Sequence, residues 1–154
     1  MALKGLIENP VFLSALSSLF FAQVIKTIIH LLSATRIKNP RDTLEILIWR
    51  TGGMPSSHSA MVSAMASSIA FVEGLDSSLF IVSLMFALVI IRDALGVRRS
   101  SGIQARMLNW LGRNIAEKFK IEFHPVKEVL GHSPLEVIVG GLLGIIIAAA
   151  FHFL

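Results

Sequence analysis

The sequence predicts an all-α integral membrane protein, with about four transmembrane helices and one or two interfacial amphipathic helices, on three observations. Of its 154 residues, 54% are hydrophobic and 16% charged, whereas a soluble domain carries about 25% charged residues. The mean hydropathy is +0.73, more apolar than a single soluble core of this length requires. The apolar residues also gather into separate runs, and most approach the roughly 20 residues that a helix needs to cross a hydrocarbon layer about 30 Å thick.

The chain reads as one membrane domain over residues 1–154. The first span is expected at 11–32, with Asn9 as a helix cap and Pro10 at the first helical position. Glu8 and Pro10 ahead of that run, and Lys26 within it, argue against a signal peptide. The second span, at 57–72, is short and rich in Ser and Ala, residues that suit contact with other helices better than contact with lipid. The third runs over 77–97, capped by Asp76 or Ser77, and the fourth, glycine-rich at first, over 134–154. Asn39-Pro40-Arg41-Asp42 opens an interfacial helix at about 40–50. In a second, at about 103–120, Ile103, Met107, Leu111, Ile115 and Phe119 recur every fourth residue among Arg106, Arg113, Lys118 and Lys120. That is the pattern of a basic helix lying on a membrane surface.

Four crossings put residues 33–56 and 98–133 on one side. These loops hold Arg36, Lys38, Arg41 and Arg50, and Arg98, Arg99, Arg106, Arg113, Lys118, Lys120 and Lys127; the other side has Lys4 against Glu8, Glu73 and Asp76. The positive-inside rule then places both loops in the cytoplasm and both termini outside, in a multi-pass protein of the cell (inner) membrane. The net charge of +4 points to anionic lipid headgroups rather than nucleic acid, because the cations flank apolar runs. With no cysteine, a disulfide framework and a thiolate metal site are both excluded.

Two stretches carry chemistry. In Gly52-Gly53-Met54-Pro55-Ser56-Ser57-His58-Ser59, the glycines let backbone approach a ligand, and the serines sit where a helix N-terminus favours an anion. His58 can donate a proton near neutral pH. A serine-capped helix with an interfacial histidine fits the same residues. In Leu130-Gly131-His132-Ser133-Pro134-Leu135-Glu136, Ser133 and Glu136 match a capping box. Glu136 can equally accept from one nitrogen of His132 and leave the other free to attack. Both stretches begin helices in the same leaflet, where Lys26, Arg92, Asp93, Arg98 and Arg99 also gather. Together they outline a phosphate site, with snorkelling the other reading for Lys26 and membrane anchoring that for Arg98 and Arg99. Asp93 is read as a partner of Arg92 or Arg99, and His30, His124 and His152 as structural.

The histidine stretches resemble the type 2 phosphatidic acid phosphatases, a superfamily that includes acid phosphatases and vanadium haloperoxidases. The chain is closest in pattern to the divergent small bacterial and plant branch. The resemblance spans Gln23 with Lys26, GGMPSSHSA at 52–60, DALGVRR at 93–99, Gln104-Ala105 with Leu108-Asn109, and LGHSPLEVIVGGLLG at 130–144. It implies a phosphate-binding Pro-Ser-Gly-His motif at Pro55, Ser56 and His58, with Ser57 in the glycine place. It also implies a nucleophile at His132, with Glu136 in the place of an aspartate. Val126 stands where the superfamily has an arginine, and the first motif, a lysine followed by Arg-Pro, is absent.

The expected activity is metal-independent, cofactor-free hydrolysis of a lipid phosphomonoester or pyrophosphate. His132 would attack, Glu136 orient, and His58 protonate the leaving oxygen, with Lys26, Ser56, Ser57, Arg98 and Arg99 holding the phosphoryl oxygens. Phosphatidate, phosphatidylglycerophosphate and polyprenyl pyrophosphate all fit as substrates. A non-catalytic lipid-phosphate binder or scaffold, and a small transporter subunit, are the rival readings. Gly140, Gly144 and Ala148 form a small-residue stripe that suggests a homodimer, and packing within one chain explains it equally well.

Overall fold

The structure, a computed structural model, describes residues 2–33, 53–128 and 131–154. The expected interfacial helix at about 40–50 lies outside the described residues. Within them the chain forms helices and loops: α1 (Ala2–Ile7), α2 (Pro10–Ser33), α3 (Ser57–Glu73), α4 (Ser78–Leu95), α5 (Val97–Phe119) and α6 (Pro134–Phe153). The helices α2, α3, α4 and α6 each start on a side chain that satisfies otherwise orphaned N–H groups, whereas α5 follows Gly96 without one. Asn9 Oδ1 accepts from the amides of Val11 and Phe12 at 2.9 and 3.2 Å. Ser77, rather than Asp76, caps α4 by accepting from Phe80 N at 3.1 Å. Ser133 and Glu136 form the reciprocal capping box at the start of α6.

The side chains are sorted inside out relative to a soluble bundle. Ser14, Ser18 and Ala22 of α2, Ser83, Ala87 and Ala94 of α4, and Val137, Gly140, Gly144 and Ala148 of α6 are buried. Phe12, Leu16, Phe20, Val82, Phe86, Val89, Leu142 and Ile146 are exposed. Small residues against helices and large apolar ones outside suit hydrocarbon as the surrounding solvent. Three helical stretches are long and apolar enough to span a membrane: α2, the nearly continuous α4–α5 stretch Ser78–Phe119, and α6. The fourth expected crossing, α3, is 17 residues long and packs against α2, α4 and α6 at once. Its buried Ser, Ala and Val residues lie nearly all round it.

α6 lies directly on α3. A methyl at Gly140 would run into the backbone of Ser56, and one at Gly144 into Ala60 and Ala64. The small-residue stripe is thus occupied within the chain, and the reason it gave for expecting a homodimer falls away.

α5 begins at Val97, six residues before the expected 103, because only Gly96 separates it from α4. Among the described helices it touches α4 alone. Residues 121–128 then run back along it without helix. Phe123 fills the space left by Gly112, Val126 and Glu128 meet Asn109, Glu128 meets Arg106, and Gly131 seats on the backbone of Arg98 and Arg99. The partners descend along α5 as the segment advances, so the two lie antiparallel.

Candidate functional site

Lys26 continues the buried stripe of α2. Ser14, Ser18, Ala22 and Lys26 recur every fourth residue, and Lys26 is 5% exposed. That spacing keeps one helix face turned inward, so Lys26 faces the bundle and does not snorkel. Its aliphatic stem passes Gly53, where a Cβ would meet Lys26 Cγ at 3.8 Å, and Gly53 holds a φ of +89° that side-chain-bearing residues rarely adopt.

From Gly53 the chain turns into α3. Ser56 N donates to Glu136 O at 2.9 Å, which locks the start of α3 onto the start of α6. Ser56 Oγ accepts from Ser59 N and from Ser59 Oγ, the latter at 2.9 Å. Ser56 and Ser57 are both buried. His58, in the first turn, is exposed at this end of the bundle, within electrostatic reach of Arg98, His132 and Lys26.

His132 is held from two sides. Its N–H donates to Ala94 O at 3.3 Å, at the end of α4. Its ring is buried, with Nδ1 2.9 Å from Glu136 Oε2. A carboxylate accepts only, so Nδ1 carries the proton, and in the neutral ring Nε2 keeps its lone pair. The same Oε2 accepts from Ser133 N at 3.1 Å. Glu136 therefore closes the capping box and orients the histidine together, and the two readings of the sequence coexist.

Asp93 pairs with Arg98, Oδ2 to Nε at 2.7 Å, rather than with Arg92 or Arg99. Lys26, His58, Arg98, His132 and Glu136 thus converge with the Ser56–Ser57 turn at one end of the bundle. Arg99 does not join them. Its backbone supports Gly131, and with Arg106 it lines a separate cavity of about 320 Å³. A larger cavity, about 400 Å³, sits at the opposite end of α3 among Leu6, Phe12, Met65, Ile69 and Val72, away from both histidines.

The sequence reading assigned no role to Asn109 or Gln23. Asn109 is 3% exposed; its Oδ1 accepts from Val126 N, and its Nδ2 donates to Val126 O and Glu128 Oε1, each at 2.9 Å. In a basic amphipathic helix one more polar residue carries no signal, and the partners lie 17 and 19 positions away. Gln23, one turn before Lys26, has a buried Oε1 without a hydrogen-bond partner among the described residues.

A helical membrane protein that presents two histidines, a carboxylate partner and cations at one end of its bundle is the class defined here. The chain belongs to the Divergent PAP2 family, whose model matches residues 7–147. It is 43% identical to an uncharacterized membrane protein of Bacillus subtilis, YuiD, over 96% of this chain and 97% of that protein. No solved structure matches the chain.

Proposed function

We propose that the protein is a phosphatase of membrane lipids, hydrolysing a phosphomonoester or pyrophosphate through a histidine nucleophile. The observation that carries this reading is the His132–Glu136 pair, docked by Ser56 against the helix start that bears His58. His132 Nε2 attacks phosphorus while His58 gives its proton to the departing oxygen. Water, surrendering a proton to His58, then attacks the phosphohistidine, releases phosphate and regenerates His132. Lys26, Arg98 and the Ser56–Ser57 turn hold the phosphoryl oxygens, and in phosphoryl transfer such positioning and charge supply most of the catalysis. Asp93 fixes the Arg98 guanidinium from behind. The site works at the cytoplasmic face, with both termini outside.

Phosphate release by the purified chain in detergent, on a panel of lipid phosphates differing in headgroup, tests the proposal. Release that disappears in His132→Ala supports it. Binding without release would favour the rival, a lipid-phosphate binder, which Val126 in the arginine's place also favours.

A further inference from the structure

Arg99 and Arg106 stand two turns apart on α5, with Gly102 and Ile103 between them on the same face. Gly102 is buried and offers no side chain, so that face is hollow. Gly131 closes the hollow from the opposing segment, and these five residues line the cavity of about 320 Å³. The next residue along the chain is His132. One wall of the cavity is therefore joined through the backbone to the residue proposed as nucleophile.

Its charge is positive. Arg106 Nε lies 3.5 Å from Glu128 Oε2, and Asn109 Nδ2 donates to Glu128 Oε1 at 2.9 Å. One carboxylate thus props one guanidinium, which keeps further N–H donors for a ligand. Among the described residues Arg99 makes no ion pair. Two guanidinium forks against a single tethered carboxylate suit a phosphate group, which an arginine binds bidentately.

We propose that Arg99 and Arg106 form a second phosphate subsite, and that the substrate presents two phosphates. One reacts at His132 between Lys26 and Arg98, and its neighbour is held at Arg99 and Arg106. This deepens the phosphatase reading and rests on it for the reacting group. The second phosphate is either covalently joined to the first, as in a lipid diphosphate, or free inorganic phosphate. A plain lipid monophosphate leaves the subsite empty.

Binding to the full chain carrying His132→Ala, in detergent, separates this inference from turnover. The probes are a prenyl diphosphate, the matching prenyl monophosphate, and inorganic phosphate. The diphosphate should bind about 10–100-fold more tightly than the monophosphate, the range for charge-assisted hydrogen bonds. Arg106→Gln should remove that preference and Arg106→Lys keep part of it. Glu128→Gln, which cuts the ion pair and spares the guanidinium, should preserve it. If the source is free phosphate, inorganic phosphate will instead tighten monophosphate binding, and Arg106→Gln will cancel that gain. Equal affinity for the two lipids with no effect of inorganic phosphate overturns the subsite, as does a loss in Glu128→Gln equal to that in Arg106→Gln. Absence of phosphate release by the unmutated chain would count against the phosphatase alone.

Discussion

His132 and His58 are held differently, and their expected contributions to hydrolysis differ accordingly. His132 is buried, tied to Ala94 through its backbone and to Glu136 through its ring. His132→Ala should abolish phosphate release from every substrate, because no covalent intermediate forms; full activity would end the mechanism. His58 is exposed, as a proton donor to a departing oxygen must be. His58→Ala should lose about 10²–10⁴-fold on an alkyl lipid phosphate and far less on an aryl phosphate, whose leaving group needs no proton. Equal losses on the two substrates would make His58 a phosphate ligand instead. Glu136→Gln should fall between the two histidine variants, assayed on the alkyl substrate. Both histidines were legible in the sequence, because each lies in a local pattern with its own helix start. The split between Arg98 and Arg99 was not. Adjacent residues on a helix point about 100° apart, and only the packing of Gly131 decides which of them faces His58.

The helices were legible for a similar reason. Caps at Asn9, Ser77 and Ser133 are local, and the apolar runs are long. The inward stripe of α2 was also open to reading, since Ser14, Ser18 and Ala22 lead at fixed spacing to Lys26. What a linear pattern could not display was the partner of each small-residue face, because contact between α3 and α6 joins positions far apart in the chain. Gly144→Val should therefore destabilise the bundle by about 1–3 kcal/mol, the cost of overpacking a tight interface. Ile145→Val, on an outward position, should change little. Thermal unfolding in detergent compares the two, and equal midpoints would contradict the packing described. Asn109→Ala removes both bonds to the Val126 backbone. Loss of such bonds at an exposed segment costs about 0.5–1.5 kcal/mol each, and amide exchange at Val126 should quicken while that of α3 does not.

At the scale of the whole molecule, the end of α4 and the beginnings of α3 and α6 meet near Lys26 of α2 at one end of the bundle, which on the proposed topology confines the site to a single leaflet. Reporter fusions should place both termini outside the cytoplasm and residues 98–133 within it. A cytoplasmic C-terminus would reverse the assigned face while leaving the site intact. The fold as a whole followed from hydropathy and charge. The return of residues 121–128 along α5 did not, since that segment is neither apolar nor periodic. From Gly112 to Arg99 the helix advances roughly 20 Å, and the facing stretch from Phe123 to Gly131 can span at most about 28 Å when fully extended. That leaves roughly 8 Å to spare, so the segment is held by its attachments rather than by its length: Phe123 at Gly112, Val126 and Glu128 at Asn109, and Gly131 on the backbone of Arg98 and Arg99. A single-residue deletion between 124 and 128 still leaves about 25 Å of reach, so His132 should keep its seat and the proposed phosphate release should survive; loss of release in a bundle that still folds would show that the register of these attachments holds the histidine. The few residues that fasten this segment are thus under tighter restraint than its length.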